Sequence, residues 1–384
     1  MREISDILLH MGEEDLPNHA VSPPIFQSSI FCFPTYEEFQ AALADEPSHY
    51  LYSRGNNPTV NLCEEKLAAL EHAESAKLVS SGVAAAFLAI SSCLKGHDHI
   101  VAVRDCYMRY FFDVYFPRYG VETTYVDGTD SQEFEQAIKK NTRLFYLESP
   151  TTFTFKLQNL KEVAAIAKAH QIRTVIDNSW ATPFFQNPID YGIDLVVHSA
   201  SKYLGGNSDV IAGVIMGDKA VMDRLFETEF HPVGPVPDPF MAWLILRNLR
   251  TLTIRMPVHY ANALAVATFL ENHPKVETVL YPLLPSYSQH ALAMTQLRGG
   301  SGLFSFRLKS HDIGDVKCFT NRLRYFKRAV SWGGYESLVF PAGVKFPDDQ
   351  VPPDRVNLIR LHVGIEEKDL LIADLEQALD GVKG

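Results

Sequence analysis

Lys202 lies in the segment 194–206, DLVVHSASKYLGG, where a short apolar run ends in two small hydroxyl residues and a single lysine. Leu195 to Val197 read as a buried strand, which puts Ser199, Ser201 and Lys202 at its carboxyl end. In open α/β sheets, ligands bind outside that end of the strands. A lysine held there, partly withdrawn from water, loses proton affinity and can act as a nucleophilic amine toward a carbonyl or an aldehyde. The flanking hydroxyls can bind a phosphate without adding bulk. One strand-and-loop unit earlier, TVIDN at 174–178 ends another apolar run in Asp177.

Lysine, hydroxyls and acid together suggest pyridoxal 5'-phosphate (PLP). A carboxylate facing the ring nitrogen keeps the pyridine protonated and lets the ring accept carbanion electrons. Asp177 can fill that role, although a helix cap or a turn would also use an aspartate. For the phosphate, LVSSGVAAA at 78–86 breaks a brief strand at Ser80, Ser81 and Gly82 and then starts an Ala-rich helix that runs to about Leu94. Glycine permits close backbone approach, and the first amides of a helix offer donors and a positive dipole end to an anion. Plain N-capping by Ser81 gives the same pattern, and the two uses are compatible. No GxxxxGK[ST] occurs and no GxGxxG follows a strand, which argues against a P-loop or a dinucleotide fold.

The elements that must position these residues alternate. Strands are expected at 77–80, 100–103, 123–127, 144–149, 174–177, 195–199 and 210–216, with helical patterns between most of them, such as LKEVAAIAKAH from Leu160. That alternation predicts an α/β fold with a mostly parallel sheet covered on both faces. The Pro-rich VGPVPDP at 233–239 reads as a boundary. Beyond it come a long helical region to about Leu270, strands at 302–308 and 358–364, and a closing helix from Lys368, a smaller α+β unit. The division expected is an arm over 1–49, a PLP-binding domain over 50–235 and a C-terminal domain over 236–384. The arm shows little periodicity yet is rich in aromatics and proline, so it would be poorly stabilised alone.

The chain has 384 residues and 46% hydrophobic content, enough for two substantial cores. A net charge of −11 with no Lys/Arg run argues against nucleic acid or an anionic membrane as partner. The start MREISDILLH lacks the pattern of a signal peptide, and no segment approaches a membrane span, so a cytoplasmic location is expected. Five scattered cysteines with no CxxC read as reduced residues. His97 and His99 form an HxH, a possible metal pair, yet no further ligands lie near in sequence, and a loop between helix and strand is the expectation.

With these segments placed, the chain resembles the transsulfuration (Cys/Met metabolism) family of PLP-dependent enzymes over nearly its whole length. The segments that carry the likeness are YSRGNNPT at 52–59, Ser81 to Val83, Tyr107 after Asp105, ESP at 148–150, DNSWATP at 177–183, Ser199 to Gly206, SWGGYESL at 331–338 and LIRLHVGIE at 358–366. The resemblance implies the aspartate-aminotransferase-like architecture, fold type I. It implies that Lys202 holds PLP and then shuttles protons, that Asp177 pairs with the pyridine nitrogen and that Tyr107 stacks on the ring. Ser81, Gly82, Val83, Ser199 and Ser201 would cradle the phosphate, joined by Tyr52 and Arg54 from a neighbouring subunit. Arg360 would clamp the substrate α-carboxylate, with Ser331 and the Trp332 backbone alongside. The arm would pack on a second copy in a homo-oligomer, a tetramer being usual in the family.

Within the family, Tyr335, Trp332 and IRLHVGIE look closest to bacterial cystathionine β-lyases. Members doing γ-chemistry often carry glutamate just before the site serine, where this chain has Val330, though methionine γ-lyases can also have valine there. Those enzymes usually place a cysteine two residues after the stacking tyrosine, where Arg109 stands. Thr152 replaces the asparagine that commonly follows ESPT, a departure bacterial β-lyases share. The expectation is therefore a carbon–sulfur lyase that cleaves L-cystathionine to homocysteine, pyruvate and ammonia, with Lys202, Tyr107 or Tyr52 as the acid/base group. The alternatives inside the family are a methionine or cystathionine γ-lyase and an O-acylhomoserine sulfhydrylase. Outside it stand a non-catalytic PLP-fold regulator, which would show erosion at the site, and a serine hydrolase, for which GGSG at 299–302 lacks the GxSxG elbow.

Overall fold

A computed structural model describes residues 3–383. Seven strands form the first sheet: β1 (Ser75–Val79), β2 (His99–Val103), β3 (Glu122–Val126), β4 (Thr142–Glu148), β5 (Arg173–Asp177), β6 (Leu195–His198) and β7 (Gly213–Gly217). Their spatial order is β1-β7-β6-β5-β4-β2-β3. All neighbours pair in parallel except β7, which runs antiparallel to both β1 and β6. The middle strands are apolar runs because both of their faces are covered. Ile100–Val103, Leu144–Leu147, Val175–Ile176 and Leu195–Val197 are all essentially free of solvent.

The helices that cover them form for local reasons. Over Leu160–Ala169 the buried residues Leu160, Val163, Ala164 and Ala167 recur at helical spacing, and the Asn159 side chain caps the start by accepting from the Glu162 amide at 3.3 Å. The helix Gly82–Ser92 starts under the Ser81 hydroxyl, which accepts from the Ala84 amide at 3.1 Å, and packs on β6 and β7.

A second sheet holds β8 (Val276–Leu280), β9 (Leu303–Leu308), β10 (Lys327–Arg328), β11 (Leu338–Pro341) and β12 (Leu358–His362) in the order β10-β11-β12-β9-β8. Three of these strands, β8, β10 and β11, lie outside the sequence expectation. In β8 only Val276 and Val279 are buried, a pattern of neither strict alternation nor a continuous apolar run. The long helical region resolves into two helices, Pro239–Leu249 and Leu252–Glu271, broken at Arg250 and Thr251. Expected strand ends agree with the structure within a few residues; β7 begins at Gly213 rather than Val210 because Ser201 already binds the Ala212 backbone. Within the arm, Thr35 caps a helix over Tyr36–Ala44 that leaves Phe39 and Leu43 exposed.

The half-buried Leu252–Glu271 helix ties the two sheets together. Arg255 donates to the Tyr203 carbonyl at 2.9 Å, while His259 and Asn262 bind the carbonyls of Val363 and Gly364 just past β12. The residue after Lys202 and the strand that carries Arg360 are thus fixed to one rod. Among the described residues no helix is long and apolar enough to cross a membrane.

Candidate active site

The carboxyl ends of β2, β4, β5 and β6 open on the same edge of the first sheet. Glu148 and Asp177 are register partners at the ends of β4 and β5, and Asp177 pairs in turn with Val197 of β6. Past the end of β6, Lys202 reaches out of a turned segment, and its Nζ donates to the Ser331 hydroxyl. Burial lowers the Lys202 amine to about 8, the Arg360 guanidinium pushes in the same direction, and Asp177 pulls back. An amine so placed is neutral in an appreciable fraction near neutral pH, which is what a nucleophile requires.

Arg360 arrives from the second sheet. Its guanidinium lies 5.1 Å from the centroids of both Phe153 and Phe340, and Nη2 is 3.3 Å from the Ser331 carbonyl oxygen. Burial lowers its proton affinity to about 10, so it stays charged at neutral pH. The two adjoining rings pack against the fork and help fix it, and a fixed fork suits a carboxylate. Trp332 presents its ring 5.4 Å from Lys202 Nζ.

The turn between β1 and the Gly82 helix fits an anion. Ser199 packs so tightly on Gly82 that a Cβ there would lie 2.6 Å from the Ser199 Cβ. Ser81 spends its hydroxyl on the Ala84 amide and its carbonyl on the Ala85 amide. The Gly82 and Val83 amides face the open end, without acceptors inside the helix. Ser201 donates its hydroxyl proton to the Ala212 carbonyl at 3.1 Å and accepts from the Ala212 amide at 3.0 Å. It must rotate before it can donate to a phosphate.

Tyr107 is 67% exposed, so its ring is free to cover a flat ligand, while its backbone amide donates to Glu148 Oε2 at 2.8 Å. Asp177 accepts from the Ser179 amide at 2.9 Å. Lys202, Ser331, Trp332, Arg360, Asp177, Ser199 and Gly82 thus converge on one open face. Tyr52 and Arg54 do not join them within one chain: the Arg54 guanidinium lies 5.1 Å from the Tyr52 ring centroid and 3.5 Å from His231 Nε2. Arg109 is also drawn aside, 4.0 Å over the Tyr125 ring and paired with Asp113. A cavity of about 380 Å³ lined by Asn56, Glu64, Lys77 and Phe226 includes none of the residues given a catalytic, cofactor or substrate role from sequence.

Several participants carry no local sequence signal. Phe153 and Phe340, which pack against each other and against Arg360, come from segments far apart in the chain. His198 and Glu71 are both buried and meet at 2.9 Å beside Asp177. Burial holds the imidazole down to about 4 and pushes the Glu71 carboxyl well up, while Asp177 alone pulls His198 the other way. The nitrogens of His99 lie 2.8 Å from the Thr142 and Thr124 hydroxyls, and no group of three His, Cys, Asp or Glu able to hold a metal occurs among the described residues. Cys63 and Cys106 are buried and Cys32 is exposed, all as free thiols.

Past the end of β6 a buried lysine of lowered proton affinity lies near Asp177 and Arg360, an arrangement that fits a PLP-dependent enzyme. The comparisons agree. Residues 5–380 match the model of the Cys/Met metabolism PLP-dependent enzyme family, and the chain belongs to that family. It is 38% identical to an L-methionine gamma-lyase from Treponema denticola, over 97% of this chain and 95% of that protein. It is 41% identical to a putative cystathionine gamma-lyase 2 from Caenorhabditis elegans, over 97% and 95% of the two chains. Among solved structures, metB from Corynebacterium glutamicum superposes with a TM-score of 0.91 at 34% identity, covering 99% of this chain and 98% of that one.

Proposed function

We propose that this protein is a carbon–sulfur lyase acting at the γ-position of a sulfur amino acid, methionine or cystathionine. The observation that carries the lyase reading is the junction at Ser331, whose hydroxyl meets the Lys202 amine and whose carbonyl meets Arg360. A substrate carboxylate on Arg360 is thereby brought next to the base. The γ assignment rests on the relatives named as γ-lyases, and it displaces the β-elimination expected from sequence.

PLP, when bound, supplies an electron sink conjugated with the substrate α-carbon. Lys202 would hold it and then move protons at the α- and β-carbons. Asp177 would keep the pyridine nitrogen protonated, and Tyr107 would cover the ring. Ser81, Gly82, Val83, Ser199 and Ser201 would hold the phosphate. Tyr52 and Arg54, whose contacts within one chain are to each other and to His231, would complete this cradle from a second copy. The exposed Ile30, Tyr36, Phe39 and Leu43 of the arm supply an apolar surface for such an assembly, which the reading makes a tetramer. The unit division 1–49, 50–235 and 236–384 belongs to the same proposal.

A second reading, cystathionine β-lyase, has one specific observation in its favour. Val330, 73% exposed beside Ser331, puts an apolar side chain where many γ-acting relatives carry a carboxylate. The deciding experiment incubates purified PLP-loaded protein with L-methionine and, separately, with L-cystathionine, and identifies the keto acid. The γ reading expects 2-oxobutyrate from either substrate. Pyruvate with homocysteine from cystathionine, and no product from methionine, would replace it with the β reading.

A further inference from the structure

One imidazole fastens the two segments that meet at the reactive amine. His362 sits two residues after Arg360 on the same face of β12 and is buried. Its Nε2 lies 3.1 Å from the Gly333 amide and 3.0 Å from the Gly334 carbonyl oxygen, and its Nδ1 lies 3.4 Å from the Tyr203 hydroxyl. Tyr203 follows Lys202, is fully buried, and accepts from the Gly302 amide at 2.8 Å. Gly333 and Gly334 follow Ser331 and Trp332, the two residues whose side chains touch the Lys202 amine.

The 331–334 segment has little else to fix it. It lies between β10 and β11 without ladder bonds, and Ser331 and Gly333 adopt φ of 73° and 90°. Gly333 also presses on the lysine backbone, since a Cβ there would lie 2.8 Å from both Lys202 Cα and the Tyr203 nitrogen. A non-glycine residue held at positive φ costs on the order of 1 kcal/mol or more unless its surroundings impose it. At Ser331 the surroundings that do so are the Arg360 contact to its carbonyl and the imidazole two residues on.

We propose that His362 is a positioning residue that sets where Ser331 and Trp332 stand against the Lys202 amine. It touches neither substrate nor cofactor and acts through the loop. In its neutral form the ring holds the loop through Nε2 in either tautomer, accepting from the Gly333 amide or donating to the Gly334 carbonyl. Burial and the neighbouring His259, Arg360 and Lys202 all oppose its protonation, and the Gly334 carbonyl favours it. Tyr203 meets the ring edge-on at a centroid distance of 5.7 Å and His259 lies tilted against it at 5.4 Å, so the buried imidazole is packed between rings as well as hydrogen-bonded.

The inference rests on Lys202 being the cofactor-bearing residue. Both groups that His362 would position, a hydroxyl acceptor and an aromatic face, favour a cationic nitrogen at Lys202. Displacing them lowers its proton affinity. His362→Phe keeps a planar ring without nitrogen, and His362→Gln keeps one donor and one acceptor. In PLP-loaded protein, the pH midpoint of the cofactor's visible absorption is expected to fall by about 0.5 unit or more in His362→Phe, a displacement worth about 0.7 kcal/mol. His362→Gln should recover at least half of that fall, and PLP affinity should stay within about threefold of the parent in both, the scale of a lost contact that does not touch the cofactor.

A folded His362→Phe with the parent midpoint overturns the inference. So does failure of both variants to fold, because a positioning role requires a scaffold that forms without it. If only the phenylalanine variant fails to fold, the glutamine variant is judged alone, and a parent midpoint there counts against the inference. A parent protein with no visible band, or one whose borohydride-fixed label lies elsewhere than Lys202, overturns the assignment of Lys202 instead.

Discussion

Glu148 and Asp177 stand opposite each other across β4 and β5, two acidic side chains on one face at the mouth of the sheet. Glu148 is buried, accepts from the Tyr107 amide and the Thr152 hydroxyl, and keeps its proton up to about 8 because burial and the Asp177 charge both oppose ionisation. The carboxyl ionises more easily in the unfolded chain, near 4.5. The folded state therefore binds the extra proton between those values, and stability falls as pH rises through that window. Removing the ionisation should flatten the fall. In cofactor-free protein, denaturant unfolding of Glu148→Gln between pH 4.5 and 8 is expected to show a shallower loss of stability than the parent, each pH unit of raised affinity being worth about 1.4 kcal/mol. Parallel pH profiles for the two proteins would show that Glu148 does not hold that proton.

Arg360→Ala should separate substrate binding from cofactor binding. The guanidinium packs on Phe153 and Phe340 and reaches the Ser331 carbonyl, whereas the Gly82 turn proposed to hold the phosphate belongs to the other sheet. Affinity for an unreactive amino acid analogue is expected to fall roughly 100-fold, the scale for losing one partner of a desolvated charge pair. PLP affinity by absorbance titration should change by no more than about threefold. Arg360→Lys should fall between, since an ammonium lacks the fork. Equal losses of both affinities would contradict the assigned role.

The same arginine tunes the lysine. In cofactor-free protein, competitive acylation followed by mass spectrometry should give Lys202 a midpoint near 8. Arg360→Ala removes a like charge and should raise that midpoint, and Asp177→Asn removes an opposite charge and should lower it. A midpoint near that of an exposed lysine in the parent would mean that water reaches the amine freely.

The sheet that carries these residues was legible because β2, β4, β5 and β6 are covered on both faces and read as unbroken apolar runs, with Asp177, Ser199 and Lys202 at their ends. Gly82 was legible because the run Ser80, Ser81, Gly82 breaks a short strand just before an Ala-rich helix, and the structure adds that a Cβ there would collide with Ser199. Local pattern could not reveal the Phe153 and Phe340 clamp, the pair of His198 with Glu71, or the hold of His362 on Gly333, because each joins segments far apart in the chain. Half-exposed strands such as β8 lack the alternation that marks an amphipathic strand. The choice between β- and γ-cleavage was the least legible, since Arg360, Asp177 and Lys202 recognise atoms that all the candidate substrates share. Val330 beside Ser331 pointed one way and the named relatives point the other.

Gly82→Ala tests the anion cradle without touching a charge. The added Cβ would lie 2.6 Å from the Ser199 Cβ, 2.7 Å from its Oγ and 2.8 Å from its Cα, so a rotamer change cannot relieve the contact. Ser199 cannot retreat, because its amide is held by the Ser179 hydroxyl at 2.7 Å at the end of β6. The start of the helix must move instead, carrying the Gly82 and Val83 amides away from the anion. PLP affinity is expected to fall about tenfold or more, equivalent to at least about 1.4 kcal/mol, while unfolding stability falls by about 1–3 kcal/mol from overpacking. Val83→Ala keeps both amides and trims a side chain that is 37% exposed, so its PLP affinity should stay near that of the parent. If Gly82→Ala binds PLP as the parent does, the phosphate is held elsewhere; if Val83→Ala loses as much affinity as Gly82→Ala, side-chain packing rather than the placement of the amides governs the cradle.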